Sequence, residues 1–209
     1  MAARQIALPL GPAGPVAPAR IIIGNANEAA VEALGVAENW PFRTAILLGP
    51  PRSGKSLLAG WFAASGLGDA LDDAHLLDET ALFHRWNRAQ EEGRPLLLTA
   101  PLIAGAAPWR VALPDLASRL GAALTLEIGL PDEVMLAELI AAHAEARGLA
   151  LSEEGCRYLA NRAERSHIAA EHLVALVDRI SLERKQAPGA AIWRAALEEM
   201  QGPPQPRLL

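Results

Sequence analysis

One octapeptide constrains this 209-residue chain more than any other stretch: Gly49-Pro50-Pro51-Arg52-Ser53-Gly54-Lys55-Ser56 matches the phosphate-loop pattern G-x-x-x-x-G-K-[ST] at every fixed position. The apolar run 44–48 before it predicts a buried strand, and the apolar residues 56–64 after it predict the first turns of a helix. Strand, glycine turn and helix start together direct backbone N–H groups at one spot, where the helix dipole also favours an anion. The pattern therefore predicts a nucleotide site.

The residue types of the loop suit phosphate chemistry. Gly49 and Gly54 permit backbone angles and close approaches that a side chain would block. Lys55 is expected to reach the β- and γ-phosphates, and the Ser56 hydroxyl to hold Mg²⁺. The chain has only two lysines, which makes a chance match less credible still. The predicted nucleotide contacts from this stretch are Gly49, Pro50, Arg52, Ser53, Gly54, Lys55, Ser56 and Leu57.

Composition limits the class of protein. Although 51% of the residues are hydrophobic, no apolar run is long enough to span a bilayer. The N-terminus lacks the charged-then-apolar order of a signal peptide, so we expect a cytoplasmic protein with no membrane partner. A formal charge of −5 gives no electrostatic footprint for nucleic acid, and direct DNA binding is not expected. Cys156 is the only cysteine, which excludes a disulfide framework and predicts a buried free thiol.

A pair of carboxylates follows the loop helix closely. In a P-loop fold, a second strand ends in a carboxylate that completes the Mg²⁺ shell. Asp72 and Asp73 are in place, but only Ala70 and Leu71 precede them, so this strand must be short. We assign Asp72 as the Mg²⁺ partner and Asp73 as the residue that positions water. The alternative is a pair of acidic residues in a solvated surface loop.

A further buried strand is predicted over 95–99, after an amphipathic helix over 79–92. Thr99 lies at the carboxyl end of this strand, where ligands of open α/β sheets bind. Thr99 is therefore a candidate γ-phosphate sensor, and a hydroxyl that merely bonds the backbone is an equal alternative.

The rest of the chain changes from mixed to helical periodicity. A short helix over 113–120 precedes a strand over 124–128, and Arg119, near the end of that helix, is placed to project outward or to be an ordinary surface arginine. After Pro131 the pattern is purely helical, with Ser152 as one predicted helix cap. Strands interleaved with helices and then a helical end predict an α/β nucleotide domain with a small helical lid.

The N-terminal residues differ in kind. Gln5-Ile6-Ala7-Leu8-Pro9-Leu10 is followed by a stretch, 11–19, too rich in Pro and Gly for a helix or a central strand. A docking peptide on a tether has this form, although the residues alone favour a disordered tail with incidental leucines. Residues 20–23 then begin the globular part, and Asn27 is expected to cap a helix over 28–34.

Taken in order, these motifs resemble the AAA+ module of the bacterial replication initiator DnaA. The order is the phosphate loop, Asp-Asp, the motif Leu-Phe-x-x-x-Asn at 82–87, Leu-Leu-Leu-Thr at 96–99, and Leu-Pro-Asp-Leu-x-Ser-Arg-Leu at 113–120. The chain is more similar still to the Hda family, short DnaA relatives that inactivate DnaA. The resemblance covers nearly the whole chain.

The resemblance implies an α/β fold: a P-loop AAA+ module with a shortened parallel sheet, followed by a small all-helical lid subdomain. The implied division is a flexible tail with a clamp-binding peptide over 1–19, the nucleotide-binding subdomain over 20–129, the lid over 130–201 and a disordered tail over 202–209. The loop helix is followed so closely by Asp72 that the sheet is expected to lack its edge strand. The family's nucleotide-sensing lid arginine aligns with Ile168, and Arg165, the nearest arginine, is the candidate in its place.

The resemblance also implies partners and a role. Gln5, Leu8 and Leu10 match the Q-L-x-L-P-L peptide by which this family docks on the DNA-polymerase sliding clamp, its beta subunit. Arg119 matches the family's arginine finger, which acts in trans on the γ-phosphate bound by a neighbour. That neighbour would be the AAA+ domain of DnaA, converted from its ATP form to its ADP form.

The implied protein is thus a regulator of replication initiation that binds ADP or ATP with Mg²⁺ and activates the DnaA ATPase, rather than an efficient enzyme itself. It would be cytoplasmic and associated with the bacterial nucleoid and replisome, and a homodimer is left open. One alternative is a self-sufficient small P-loop ATPase or kinase, although the chain shows no obvious arginine cluster for an acceptor. The other is a helicase-loader-like AAA+ protein on single-stranded DNA, which the acidic balance disfavours.

Overall fold

The computed structural model describes residues 4–7, 20–102 and 109–202, with residues 4–7 described by their backbone alone. These residues form two compact units. One unit is residues 25–129, and the other consists of the described parts of 1–24 and 130–209. Within the described residues, no helix is both long and apolar enough to cross a membrane.

Strands and helices alternate from residue 20 to residue 127, and the elements after residue 127 are helical. The strands are β1 (Arg4–Ala7), β2 (Arg20–Ile23), β3 (Thr44–Gly49), β4 (Asp69–Leu71), β5 (Leu96–Pro101) and β6 (Leu124–Glu127). The helices are α1 (Glu28–Leu34), α2 (Lys55–Ala64), α3 (Glu79–Glu91), α4 (Pro114–Gly121), α5 (Glu133–Ala146), α6 (Glu153–Ala160), α7 (His167–Arg184) and α8 (Ala190–Gln201).

The first unit is built on a four-stranded parallel sheet in the order β4-β5-β3-β6. Thr44 is paired with Leu96 and Ala45 with Leu124, so β3 lies between β5 and β6. The side chains of β5 from Leu96 to Ala100 are buried, as expected for an interior strand of a parallel sheet covered on both faces. The predicted strands at 44–48, 95–99 and 124–128 are all present, each within one or two residues of its predicted ends.

The sheet is shortened at its β4 edge. Only four residues, 65–68, separate the end of α2 from the start of β4, and the described chain has no room there for another strand. β4 pairs with β5 alone. Gly68 permits the tight approach, because a Cβ at this position would lie 2.4 Å from the carbonyl oxygen of Pro95. The predicted loss of the edge strand is confirmed.

Helices α3 and α4 share one apolar core with the sheet. Its buried members are Ala74, Leu82, Trp86, Ala89, Leu96, Leu98, Leu116 and Leu120. The predicted apolar face of α3 is therefore the face that packs on the sheet. Since Leu116 and Leu120 of α4 lie in the same cluster, the two helices are fixed relative to one another.

The second unit is a helical assembly with its own core. Helices α5 to α8 contribute buried apolar side chains to one cluster, among them Leu136, Leu159, Leu173 and Trp193. The predicted cap is present, since Ser152 Oγ accepts the N–H of Gly155 at 3.1 Å. Cys156 is a buried free thiol, as predicted, and desolvation by burial raises the pKa of this thiol.

Strand β2 belongs with the helical unit. Residues 20–24 group with 130–209 rather than with the nucleotide-binding subdomain, where the sequence predicts them. The reason is packing: Ile21, Ile22 and Ile23 are all buried, β2 contacts α5, and Arg20 pairs with Glu145 of α5 at 3.1 Å.

Helix α1 begins and ends at the predicted residues, but its predicted cap is wrong. Asn27 precedes the helix and its carbonyl accepts the N–H of Val31 at 2.9 Å. Its side chain makes no capping bond, because its backbone (φ −138°, ψ −2°) lacks the extended conformation typical of a capping residue.

Candidate functional site

The phosphate loop joins β3 to α2 through a tight turn of special backbone. A Cβ at Gly49 would lie 2.9 Å from Ser53 Oγ and 3.0 Å from Ile128 Cβ, so a side chain there would disrupt the turn. Gly54 has φ +87° and Arg52 φ +64°, both in the left-handed region. The first intrahelical bond of α2 runs from Leu58 N–H to Gly54 O at 2.9 Å. The amides before Leu58 in the first turn are thus available to an external acceptor.

Lys55 lies inside the curve of this loop. Its Nζ donates to Gly49 O at 3.0 Å and to Pro50 O at 2.9 Å, and only 9% of the residue is exposed. Desolvation lowers the pKa of the ammonium, and the negative charges of Asp73 and Asp72 oppose that shift. The loop therefore holds one desolvated cation within the electrostatic reach of the two acidic residues.

Asp72 and Asp73 lie at the carboxyl end of β4, next to Thr99 on β5. The Thr99 hydroxyl donates to Asp72 Oδ1 at 2.5 Å and accepts the N–H of Asp73 at 2.9 Å. Thr99 is fully buried, while both aspartates are exposed. Thr99 thus holds the acidic turn in place, a structural task close to the alternative of a backbone-bonding threonine. Its assignment as a γ-phosphate sensor stays a prediction.

The residues present fit a nucleotide with Mg²⁺. The Ser53 hydroxyl is buried and has no hydrogen-bond partner among the described residues, which suits a site that receives an acceptor. Mg²⁺ is commonly held by one or two carboxylates together with waters and phosphate oxygens. Asp72 and the exposed Ser56 hydroxyl can supply the protein ligands of such a shell.

Arg119 does not project freely outward, which corrects the orientation expected from the sequence. This residue of α4 is half-buried, and its side chain packs against α3. Its Cζ lies 4.5 Å from the ring centroid of Phe83 and 4.4 Å from that of Trp86. Its Nη1 donates to Asn87 Oδ1. A planar, weakly hydrated guanidinium stacks well on aromatic faces, and such contacts contribute about 0.5–2 kcal/mol each.

The remaining candidates lie elsewhere. Arg165 is exposed in the segment between α6 and α7, in the helical unit, and Ile168 is 43% exposed in the first turn of α7. The backbone of Gln5 pairs with Ile22 in the two-stranded β1–β2 sheet, and Leu8 and Leu10 lie outside the described residues.

The residues that hold Arg119 are not among the site residues predicted from the sequence. Phe83, Trp86 and Asn87 have the spacing i, i+3, i+4, which places them on one face of a helix. That spacing was visible in the sequence, but the arginine that packs on this face comes from a helix more than thirty residues later.

No protein-family profile and no curated protein matches the chain. Among solved structures, domain III of the Thermotoga maritima replication initiation protein DnaA is similar to it, with a TM-score of 0.69 at 16% identity over 88% of this chain and 95% of that one. The chain has the AAA+ fold.

Two further solved structures share this AAA+ fold. The Thermotoga maritima RuvB Holliday junction branch migration motor has a TM-score of 0.59 at 22% identity, over 84% of this chain and 69% of that chain. A replication initiator DnaA bound to AMPPCP and single-stranded DNA has a TM-score of 0.58 at 18% identity, over 79% of this chain and 66% of that chain. At such identities the likeness establishes the fold alone.

The Thr99 bonds generate a test of how the acidic turn is held. Thr99→Val keeps the side-chain shape but leaves the N–H of Asp73 without its acceptor, and we expect the free energy of unfolding to fall by about 1–3 kcal/mol. Thr99→Ser retains the hydroxyl and should lose less. Denaturant unfolding measures both. Thr125→Val, at an exposed position of β6, is the matched control and should change stability by less than about 0.5 kcal/mol. Equal effects at 99 and 125 would contradict the assignment.

Proposed function

We propose that this chain is a nucleotide-binding AAA+ regulator that stimulates ATP hydrolysis by DnaA while docked on the DNA-polymerase sliding clamp. The observation that carries the proposal is the convergence of Lys55, Asp72 and Thr99 with a complete phosphate loop in a DnaA-like fold. The sequence motifs shared with the Hda family supply the direction of the regulation, from ATP-DnaA to ADP-DnaA.

The nucleotide, ATP or ADP with Mg²⁺, would bind at the phosphate loop. Lys55 and the first-turn amides of α2 would contact its phosphates, and Ser56 and Asp72 would hold the metal. Asp73 would position a water. Arg165 would act as the nucleotide-sensing arginine, because Ile168 occupies the position where the family has that arginine. The DnaA structure with AMPPCP shows that a neighbour of this fold binds such a ligand.

Replacing the loop lysine should remove most of the nucleotide affinity. Lys55→Ala deletes the ammonium that would bridge the β- and γ-phosphates, and we expect the dissociation constant for ATP to rise about tenfold or more, equivalent to about 1.4 kcal/mol. Isothermal titration calorimetry measures the change. Lys185→Ala is the control, since Lys185 is exposed at the end of α7 and is the only other lysine. Unchanged affinity in Lys55→Ala would remove the phosphate-loop assignment.

Activation of a neighbour would depend on Arg119. In a AAA+ pair, an arginine finger stabilises the charge that develops on the γ-phosphate bound by the adjoining subunit. Arg119 is a permanent cation on the α/β unit, and the part of the chain that the structure describes gives it no carboxylate partner. Its charge is therefore available to an anion of a partner.

Arg119→Ala should leave the affinity of this chain for ATP unchanged and reduce ATP hydrolysis by DnaA to the rate of DnaA alone. The measurement is phosphate release by ATP-loaded DnaA with increasing amounts of the variant. Arg85→Ala, at an exposed position of α3, is the matched control and should stimulate as the unmodified protein does. Full stimulation by Arg119→Ala would eliminate the finger. Release by this protein without DnaA, at the stimulated rate, would instead favour a self-sufficient ATPase.

Docking on the clamp would use Gln5, Leu8 and Leu10. Gln5→Ala should weaken binding to purified sliding clamp by about tenfold or more, because the amide is the polar anchor of an otherwise apolar peptide. Surface plasmon resonance with immobilised clamp measures it, and Arg4→Ala, just outside the motif, is the control. If neither the unmodified chain nor the variant binds, the clamp is not a partner, and the nucleotide site is unaffected by that result.

A further inference from the structure

Three residues of helix α3 contact the Arg119 guanidinium. The rings of Phe83 and Trp86 lie 4.5 and 4.4 Å from its Cζ, and Asn87 accepts a hydrogen bond from Nη1. We call Phe83, Trp86 and Asn87 the arginine-binding face of α3. Trp86 is only 8% exposed and belongs to the core that also contains Leu116 and Leu120 of α4. The arginine-binding face and the backbone of Arg119 therefore rest on one rigid support.

The arginine-binding face orients the guanidinium without neutralising its charge. Two aromatic faces and a neutral amide make its contacts, and within the described residues no carboxylate pairs with Arg119. Other arginines of this protein are treated differently: Arg94 pairs with Asp69 at 2.9 Å, and Arg88 pairs with Glu92 at 2.7 Å. Asn87 accepts one hydrogen bond from a group that carries five N–H donors, which leaves donors for a second, anionic acceptor.

We propose that Phe83, Trp86 and Asn87 are positioning residues that hold Arg119 in a fixed orientation with its charge free for a phosphate group on a partner molecule. The inference rests on the proposed function, because the partner phosphate is the γ-phosphate of that reaction. It also gives a task to the motif Leu-Phe-x-x-x-Asn: Leu82 enters the core, while Phe83 and Asn87, four residues apart, present one face to Arg119.

The neutrality of position 87 is the point that separates positioning from packing. Asn87→Asp has the same shape and keeps an acceptor, but it places a carboxylate on the guanidinium, and the two groups then form an ion pair. If the arginine-binding face serves only the fold, this change leaves stability unchanged or raises it. If the face must leave the charge free, the change abolishes its function, because the arginine is then neutralised within its own subunit.

The experiment measures ATP hydrolysis by DnaA as a function of DnaA concentration in the presence of the Asn87→Asp variant of this chain. We expect the maximal stimulation to fall about tenfold or more, as for a displaced catalytic contact, with the half-saturating DnaA concentration within about twofold of the unmodified protein and the thermal unfolding midpoint not lowered. Asn161→Asp, at an exposed position after α6, is the matched control and should stimulate fully. Full stimulation by Asn87→Asp, or a loss confined to the half-saturating concentration, overturns the inference.

A second measurement needs no DnaA. Thermal unfolding midpoints of Asn87→Ala, Arg119→Ala and the double variant give the coupling between the two positions. We expect Asn87→Ala to lower the midpoint by less in the Arg119→Ala background than in the unmodified chain. Additive effects would overturn the assignment of the arginine-binding face. If the unmodified chain fails to stimulate DnaA, the proposed function fails, and the coupling alone decides whether Asn87 holds Arg119. Should Asn87→Asp unfold, Phe83→Leu, which removes one aromatic face, is tested in the same assays with the same expected loss.

Discussion

The parallel pairing of β4, β5 and β3 is the constraint on which the site depends. Parallel strands end at the same edge of a sheet, so the residues that follow them meet even though they are far apart in the chain. Leu71 is paired with Leu98, which places Asp72 beside Thr99, and Gly49 is paired with Pro101. A slip of one residue would turn the Thr99 hydroxyl to the other face of the sheet and leave the acidic turn unsupported.

Burial of a cation is the main electrostatic cost of this arrangement. Desolvation disfavours the charged form of Lys55, and the structure offsets part of that cost with two loop carbonyls and with the nearby charges of Asp72 and Asp73. The aspartates are held by Thr99 rather than by the lysine itself. The ammonium is thus tolerated without a direct ion pair in the described chain, and its charge remains available to a phosphate.

Much of this could be predicted from the sequence because its signals are local. The phosphate loop, the buried strands β3 and β5 and the helices were set by patterns within ten to fifteen residues. Three features were not: the absence of a capping bond from Asn27, the place of residues 20–24 in the helical unit, and the orientation of Arg119. Asn27 makes no capping bond because of its own backbone conformation. The other two features depend on contacts between segments distant in sequence, β2 with α5 and α4 with α3. No periodicity within a segment specifies such contacts.

Lys55 and Arg119 are placed by the same physical means at two positions of one unit. Each cation is bonded to neutral oxygens, the carbonyls of Gly49 and Pro50 for the lysine and the amide of Asn87 for the arginine. A carboxylate in either place would add the attraction between opposite charges to the hydrogen bond. Exposed arginines such as Arg88 and Arg179 do pair with glutamates. Neutral partners at these two positions forgo that attraction, and under the proposed function the gain is a cation that an incoming phosphate can still engage.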